Sequence, residues 1–335
     1  MHDLRFYIRF RQVTLGDLAA VVGAVLKGDA EESVITVSAF ENAESGSICF
    51  FEGRPTDAAN ISPEATGCFL KEEAAEFLPP TVAAIVCATP RQSFFQAAET
   101  FLSVRVADQK YDDLGPAQVS PSARIGQNTI ISDGVEIGDD TVIGSNVVIG
   151  PGVRIGRKTR ILHGTVVENA LIGNEVLIKS NTVIGGSGFG VMLKPEGLRL
   201  SPHYGRVVIQ DHASIGSNCC IDRGVFGDTV IGENSHLDNL IQVGHNVEVG
   251  RNSLMAAFCG ISGSVKIGDW VRMGGRVGVA DHVDIGEGAT LAANTALMRS
   301  VPAGETWGGA PAKLLTHWMR ELSWLSKNAG TNRKK

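Results

Sequence analysis

The sequence predicts a mainly β protein: a left-handed parallel β-helix of hexapeptide repeats, with a small N-terminal α/β domain and a C-terminal α-helix. Three observations predict it. An aliphatic residue returns every six positions, unbroken from Ile231 through Leu237 and Val243 to Leu297, and earlier from Val119 to Val167. That period fits neither an amphipathic helix nor an alternating strand; it is the length of one short strand plus one turn of a parallel β-helix. The composition agrees, with 40 Gly and only 6% aromatic residues. Thin coils leave little room for rings, and Gly at tight corners accepts positive φ cheaply. Finally, the repeat is confined to the middle of the chain, so the two ends must fold otherwise. If three hexads close one triangular coil, residues eighteen apart stack at about 4.8 Å, and sequence spacing becomes a spatial ruler.

Residues 1–105 lack the repeat and read as an α/β domain. Val34–Val37, Ile48–Phe51 and Val82–Cys87 have strand character, while Leu15–Leu26, Glu72–Phe77 and Ser93–Leu102 have helical patterns. A polar linker, 106–116, leads to the β-helix over 117–300. One long insert, 185–206, interrupts the repeat, with smaller slips near Ala170 and Gly227. Loops that project from a solenoid usually lie on its functional face. A Pro- and Gly-rich exit and a short helix occupy 301–328. There Leu314, Leu315, Trp318, Met319, Leu322 and Leu325 form an apolar stripe suited to packing on a neighbouring subunit. The tail, 329–335, reads as disordered.

A net charge of −6 argues against a general nucleic-acid binder. No apolar stretch is long enough to span a bilayer, and no signal-peptide core is recognisable at the N-terminus. The six cysteines form no CxxC pair and sit mostly in apolar runs, which suits a reducing cytoplasm.

Few polar residues interrupt the second repeat run without a turn to explain them. The stretch HLDNLIQVGHNVEVG holds Asp238, Asn239, Gln242 and His245, and GGRVGVADHVDIG holds Arg276, Asp281 and His282. By the eighteen-residue ruler His245, Gly263 and Asp281 form one column, and His282 lies beside it roughly 10 Å from His245. An imidazole beside a bare backbone N–H suits acyl transfer, as base and oxyanion donor respectively. Asp238 is a candidate to orient the imidazole. Taken alone, each such His is also an ordinary turn residue, and His163, His203 and His212 have modest claims of the same kind. Asp222 and Arg223 read as a corner ion pair. A zinc site lacks a third His at suitable spacing.

Several segments together resemble the UDP-3-O-acylglucosamine N-acyltransferases of lipid A biosynthesis: SGFG (187–190), YGRVVI (204–209), CCIDRG (219–224), LDNLIQVGHNVEVG (237–250), GGRVGVADHVDIG (274–286) and the exit PAGETWGGAPAK. The resemblance implies a cytoplasmic homotrimer with active sites in clefts between adjacent β-helices. It implies transfer of a 3-hydroxyacyl chain from acyl carrier protein to the 2-amino group of UDP-3-O-acylglucosamine. No metal or redox cofactor is implied; the acyl group rides on the phosphopantetheine of the carrier. His245 matches the family's base, Gly263 its oxyanion N–H, and His282 its second active-site His. Asp238 and Asn239 match its polar pair. The N-terminal domain of the family holds uracil between aromatic rings; here SICFFEGRPTD places Phe50 at the first ring, Thr56 where a Tyr is expected and Gly53 in place of Asn. Arg272, Arg276, Arg299 and Lys313 are candidates for docking the acidic carrier, and Ala292, Ala293 and Ala296 leave room for an acyl chain. Rival readings are another hexapeptide acyltransferase, either a UDP-N-acetylglucosamine O-acyltransferase or an amino-sugar N-acetyltransferase, and a non-catalytic β-helical trimer.

Overall fold

The computed structural model describes residues 3–194, 197–309 and 315–329, with backbone alone for 193, 194 and 315–318. The six-residue period becomes a left-handed parallel β-helix. Its three faces are sheets of nine, ten and nine strands. They begin with Gln118–Val119, Arg124–Ile125 and Ile130–Ile131, and are called here the first, second and third face. The second residue of each strand points inward, so Ile149, Ile161, Val243 and Leu291 are fully buried. Val119 and Ile125 remain 38% and 39% exposed, because no coil stacks beneath the first one. Hydroxyls fill part of the interior: buried Thr141 donates to Gly156 O at 2.8 Å and Ser253 to Gly268 O at 2.9 Å.

The glycines do a different job from the one the composition suggests. Most corners place non-Gly residues in the left-handed region, among them Asn146 at φ 57°, Asn246 at 59° and Phe258 at 65°. Asn tolerates that region through its short polar side chain. The Gly that follows the aliphatic residue is needed for closeness instead. A Cβ on Gly250 would stand 2.5 Å from Gly268 C, in the backbone of the next coil.

Strand partners lie eighteen residues apart along most of each face, as between Glu136 and Arg154 or Lys266 and Asp284. The spacing shortens to seventeen from Arg154 to Leu171, lengthens to thirty-seven from Leu171 to Val208, and is twenty-two from Val208 to Val230. Steps from the first to the second face and from the second to the third remain six residues throughout, for example Leu171 to Leu177 to Val183. Every gained or lost residue therefore falls on one edge of the triangle, where the third face turns into the first.

The N-terminal region packs against that same edge. Its five-stranded sheet runs Val25–Lys27, Ala83–Val86, Gly67–Leu70, Ser47–Phe50, Thr36–Val37, parallel except for the first pair. The first helix is shorter than its apolar pattern: Leu15–Val22 has a Thr14–Asp17 capping box, and Gly23 ends it in the left-handed conformation. Val25 and Leu26, which continue the pattern, are therefore strand residues. Helix Pro90–Ala98 buries Phe94 and Phe95. Phe226, from the extra residues of the irregular edge, stacks on Phe95 with centroids 6.0 Å apart. Arg206 bridges Asp3 at 2.8 Å and Asp228 at 2.7 Å.

At the far end Thr306–Trp307 extends the second face, and helix Leu315–Ala329 follows. Met319, Leu322 and Leu325 are 56%, 41% and 53% exposed. Leu314, Lys313 and residues 330–335 lie outside the described residues, as do the side chains of Leu315 and Trp318. Among the described residues, no helix is long and apolar enough to cross a membrane.

Candidate active site

His245 lies on the irregular edge, in the corner between Gln242–Val243 and Glu248–Val249. The stacking ruler holds there: Val243 pairs with Ile261 and Ile261 with Val279, so His245, Gly263 and Asp281 share a column. Most corners run aliphatic–Gly–x, but this coil reads Ile261–Ser262–Gly263, with its Gly one place late. The shift has two consequences. The His245 ring lies across Gly263, where a Cβ would be 2.6 Å from its Cε1 and 2.7 Å from its Nε2. Gly263 also cannot cap the coil before it. In several other corners this position carries an acceptor for the preceding corner's N–H, as His163 Nδ1 does for Ser145 at 2.9 Å and Asp269 for Arg251 at 2.7 Å. Neither His245 N–H nor Gly263 N–H donates to a described residue. Two backbone donors thus stand unused along the column beside an imidazole.

Asn246 sets the tautomer of that imidazole. Its Oδ1 accepts the Val225 N–H at 2.9 Å, which identifies the atom as oxygen, and lies 3.2 Å from His245 Nδ1. An amide oxygen only accepts, so Nδ1 carries the hydrogen and Nε2, over Gly263, presents a lone pair.

Asp238 does not play this part within one chain. It follows strand His236–Leu237, one side of the triangle away, and is exposed. The seven residues from Asp238 to His245 span a full face, which proximity in sequence conceals. Asn239 sits in the same corner as Asp238, and its Oδ1 caps Ser217 N–H at 2.8 Å. The acid on the His245 edge is Asp222, in register with Gly244. Burial pushes its carboxyl pKa up, while Gln242 Nε2 at 2.9 Å and the charge of His245 act against that rise. Asp222 and Arg223 are no surface ion pair. Arg223 is buried and donates to Gly185 O at 2.8 Å and His203 O at 3.0 Å, clamping both ends of the insert.

His282 stands beside the column, exposed at φ 55°, and its N–H reaches Gly263 O at 3.2 Å. The insert leaves the edge two coils before His245 and folds back over it, bringing Gly188 and His203 to the His245 ring. Asn246, Asp222 and His203 are the neighbours that sequence reading did not bring to His245. Asn246 carried no signal beyond following His245, while Asp222 and His203, read as one half of a corner ion pair and a turn residue, reach the site only through the irregular edge.

Phe50 is half-buried among Phe94, Phe95 and Phe226, with centroids at 5.2, 6.0 and 6.3 Å. Successive strand residues face opposite ways, and it is Phe51 that lines a cavity of about 530 Å³ between this domain and the insert. Glu52, Gly53, Lys71, Thr89, Arg91 and Met192 also line it.

Known proteins share this architecture. Residues 228–263 match the bacterial transferase hexapeptide model, 264–299 the hexapeptide repeat of succinyl-transferase, and 125–190 the GMPPB C-terminal domain. A UDP-3-O-acylglucosamine N-acyltransferase from Caulobacter vibrioides is 46% identical over 334 residues, 98% of each chain. One from Caulobacter sp. strain K31 is 43% identical over 340 residues, again 98% of each. The chain belongs to the UDP-3-O-acylglucosamine N-acyltransferase family. Solved structures are more distant: a Francisella novicida UDP-N-acetylglucosamine acyltransferase has a TM-score of 0.48 at 24% identity, over 62% of this chain and 71% of that one. At that level the likeness carries nothing for the site. Against the N-acyltransferase family, the irregular edge holds the segments that set this chain apart from a plain hexapeptide repeat: SGFG, YGRVVI, IDRG and the His245 corner.

Proposed function

We propose that this chain transfers a 3-hydroxyacyl group from acyl carrier protein to the 2-amino group of UDP-3-O-acylglucosamine, with His245 as general base. The observation that carries the mechanism is the His245 ring lying over bare Gly263, its Nε2 lone pair free and its Nδ1–H held by Asn246. His245 Nε2 takes a proton from the sugar amine as nitrogen attacks the thioester carbonyl. The carbonyl oxygen becomes an oxyanion held by the Gly263 N–H, in a site that costs no reorganisation at the moment of reaction. Collapse forms the amide and expels the pantetheine thiolate, which recovers the proton from the imidazolium. Atoms and charge balance without a further reagent.

The cavity lined by Phe51, Lys71 and Arg91 suits a nucleoside diphosphate: one ring beside a base, and two cations for the phosphates. Phe50 supports it from behind through the ring cluster. The chain acts as a homotrimer in the cytoplasm. Asp238 and Asn239 then serve across a subunit cleft, where the second-to-third edge of one subunit meets the irregular edge of the next, with His282 flanking the sugar. Arg272, Arg276 and Arg299 near the last coils receive the acidic carrier, and Ala292, Ala293 and Ala296 border the acyl chain. The decisive experiment is a mass-spectrometric product assay with UDP-3-O-acylglucosamine and a panel of 3-hydroxyacyl carrier proteins, beside acetyl-CoA as rival donor. His245→Ala should lose at least about 100-fold in rate. A near-normal rate in that variant, or a preference for acetyl-CoA, refutes the reading.

A further inference from the structure

The mechanism leaves one imidazole of the site unused. His203 is fully buried in the returning limb of the insert. Its carbonyl receives Arg223 Nε at 3.0 Å and has Tyr7 Oη at 3.4 Å. Its Nδ1 lies 3.1 Å from Ser201 O and 3.3 Å from Ser187 Oγ. The Ser201 carbonyl accepts only, so Nδ1 carries the hydrogen and Nε2 a lone pair. That Nε2 has no partner among the described residues, a state that asks for an explanation in a buried group.

Its surroundings supply one. The ring centroid stands 5.2 Å from that of His245, with the planes tilted by 59°. A methyl group on Gly188 would lie 3.0 Å from His203 Nε2, 3.0 Å from His245 Cβ and 3.1 Å from His245 Cδ2. The unpartnered lone pair and the carbon edge of His245 therefore border one small gap. When His245 is protonated, its ring carbons share the positive charge, and an acceptor facing them is worth more in such a dry site than in water.

We propose that His203 is a positioning residue for His245: a neutral imidazole that braces the His245 ring over Gly263 and stabilises the imidazolium formed during acyl transfer. The proposal rests on His245 being the base. His203 exchanges no proton itself; the proton passes from the amine to His245 and then to the thiolate. The charged groups around the pair are Arg223 and Arg91 near His203 and Asp222 near His245. Burial, then the charge of His245, holds the His203 pKa down at about 4, with the two arginines adding to the effect, so it stays neutral while His245 works.

The test is steady-state kinetics on the full chain with UDP-3-O-acylglucosamine and a 3-hydroxyacyl carrier protein, with thermal midpoints measured alongside. His203→Leu should lower kcat about 10-fold at unchanged KM and move the acid limb of kcat/KM to lower pH, because the acceptor that favoured the charged form is gone. His203→Gln, which retains a donor for Ser201 O and an acceptor oxygen, should stay within about 3-fold of wild type. A wild-type kcat and acid limb in His203→Leu overturns the proposal, as does a loss confined to KM or an equal loss in a well-folded His203→Gln. If His203→Leu fails to fold, Gly188→Ala places a methyl in the gap and should reproduce the kcat loss and limb shift; an unchanged profile there overturns it too. An inactive His245→Ala beside an unperturbed His203→Leu refutes only the role of His203, whereas an active His245→Ala removes the base and this proposal together.

Discussion

Two edges of the β-helix and the third obey different rules. On the first two, each corner takes the same number of residues and is closed by repeat chemistry: an inward aliphatic, often a Gly for close approach, and in some corners a side chain of the next coil that accepts the corner's N–H. The third edge gains or loses residues four times, the last between Leu297 and Val301, receives the N-terminal domain, and holds His245, His203, Arg223 and Asp222. Some regular corners have their N–H capped, as Asp269 does for Arg251, while others, such as Ala257 and Ala293, have no acceptor for it among the described residues, so an open N–H is common to both kinds of edge. To open donors at His245 and Gly263 the irregular edge adds a lone pair on each of two imidazoles, none of these with a partner among the described residues. The lesson is that the repeat supplies rigidity, and departures from it supply chemistry.

The sharpest way to break this comparison is one methyl group on each kind of edge. Gly263→Ala would place a Cβ within 2.6 Å of the His245 ring. A side chain can swing away, so the fold should survive while the rate falls at least about 100-fold, the scale of a lost base; an active Gly263→Ala would show that the ring's place over Gly263 does not matter. Asn246→Ala removes the oxygen that fixes the tautomer and should lower kcat about 10-fold with KM little changed, read from initial rates. Mixing His245→Ala with Asp238→Ala subunits tests whether the second-to-third edge serves a neighbour's cleft. If it does, one site in each mixed trimer is intact and activity returns to about a quarter of wild type; no recovery means that one subunit supplies both residues to a site, and an active Asp238→Ala on its own places Asp238 in none.

Stability should divide the edges in the opposite sense. His203 has a folded pKa near 4, below the ordinary 6.5. Its contribution is therefore complete above about pH 6.5 and lost as pH falls towards 4, where the unfolded chain binds the extra proton. The loss is on the order of 3 kcal/mol, measured as the pH dependence of denaturant midpoints, and His203→Gln should flatten it. Gly250→Ala, on a regular edge, meets backbone 2.5 Å away rather than a movable ring. It should cost about 1–3 kcal/mol with kcat preserved in the folded fraction, and a loss of kcat at full stability would contradict the division.

How much of this could be read in advance follows from which distances are local. The column His245–Gly263–Asp281 needed only the eighteen-residue ruler, because parallel ladders copy register from coil to coil. Asp238 is near His245 in sequence, but seven residues turn a corner of the triangle, so within one chain that nearness does not carry over into space. Phe50 and Phe51 differ by one position and face opposite sides, so alternation alone left open which ring meets the cavity.

The sequence by itself determined the β-helix, its stacking distance, the column that sets His245 beside bare Gly263, and the family. These depend on periodicity and on residue types a few coils apart at most. Only the tertiary structure decided that all irregularities share one edge, that Arg223 clamps the insert, and that His203 comes to rest against His245. Those contacts join residues separated by a loop whose path no period governs. The cost of burying their polar groups unpaired selects that path, and that cost exists only once the chain has folded.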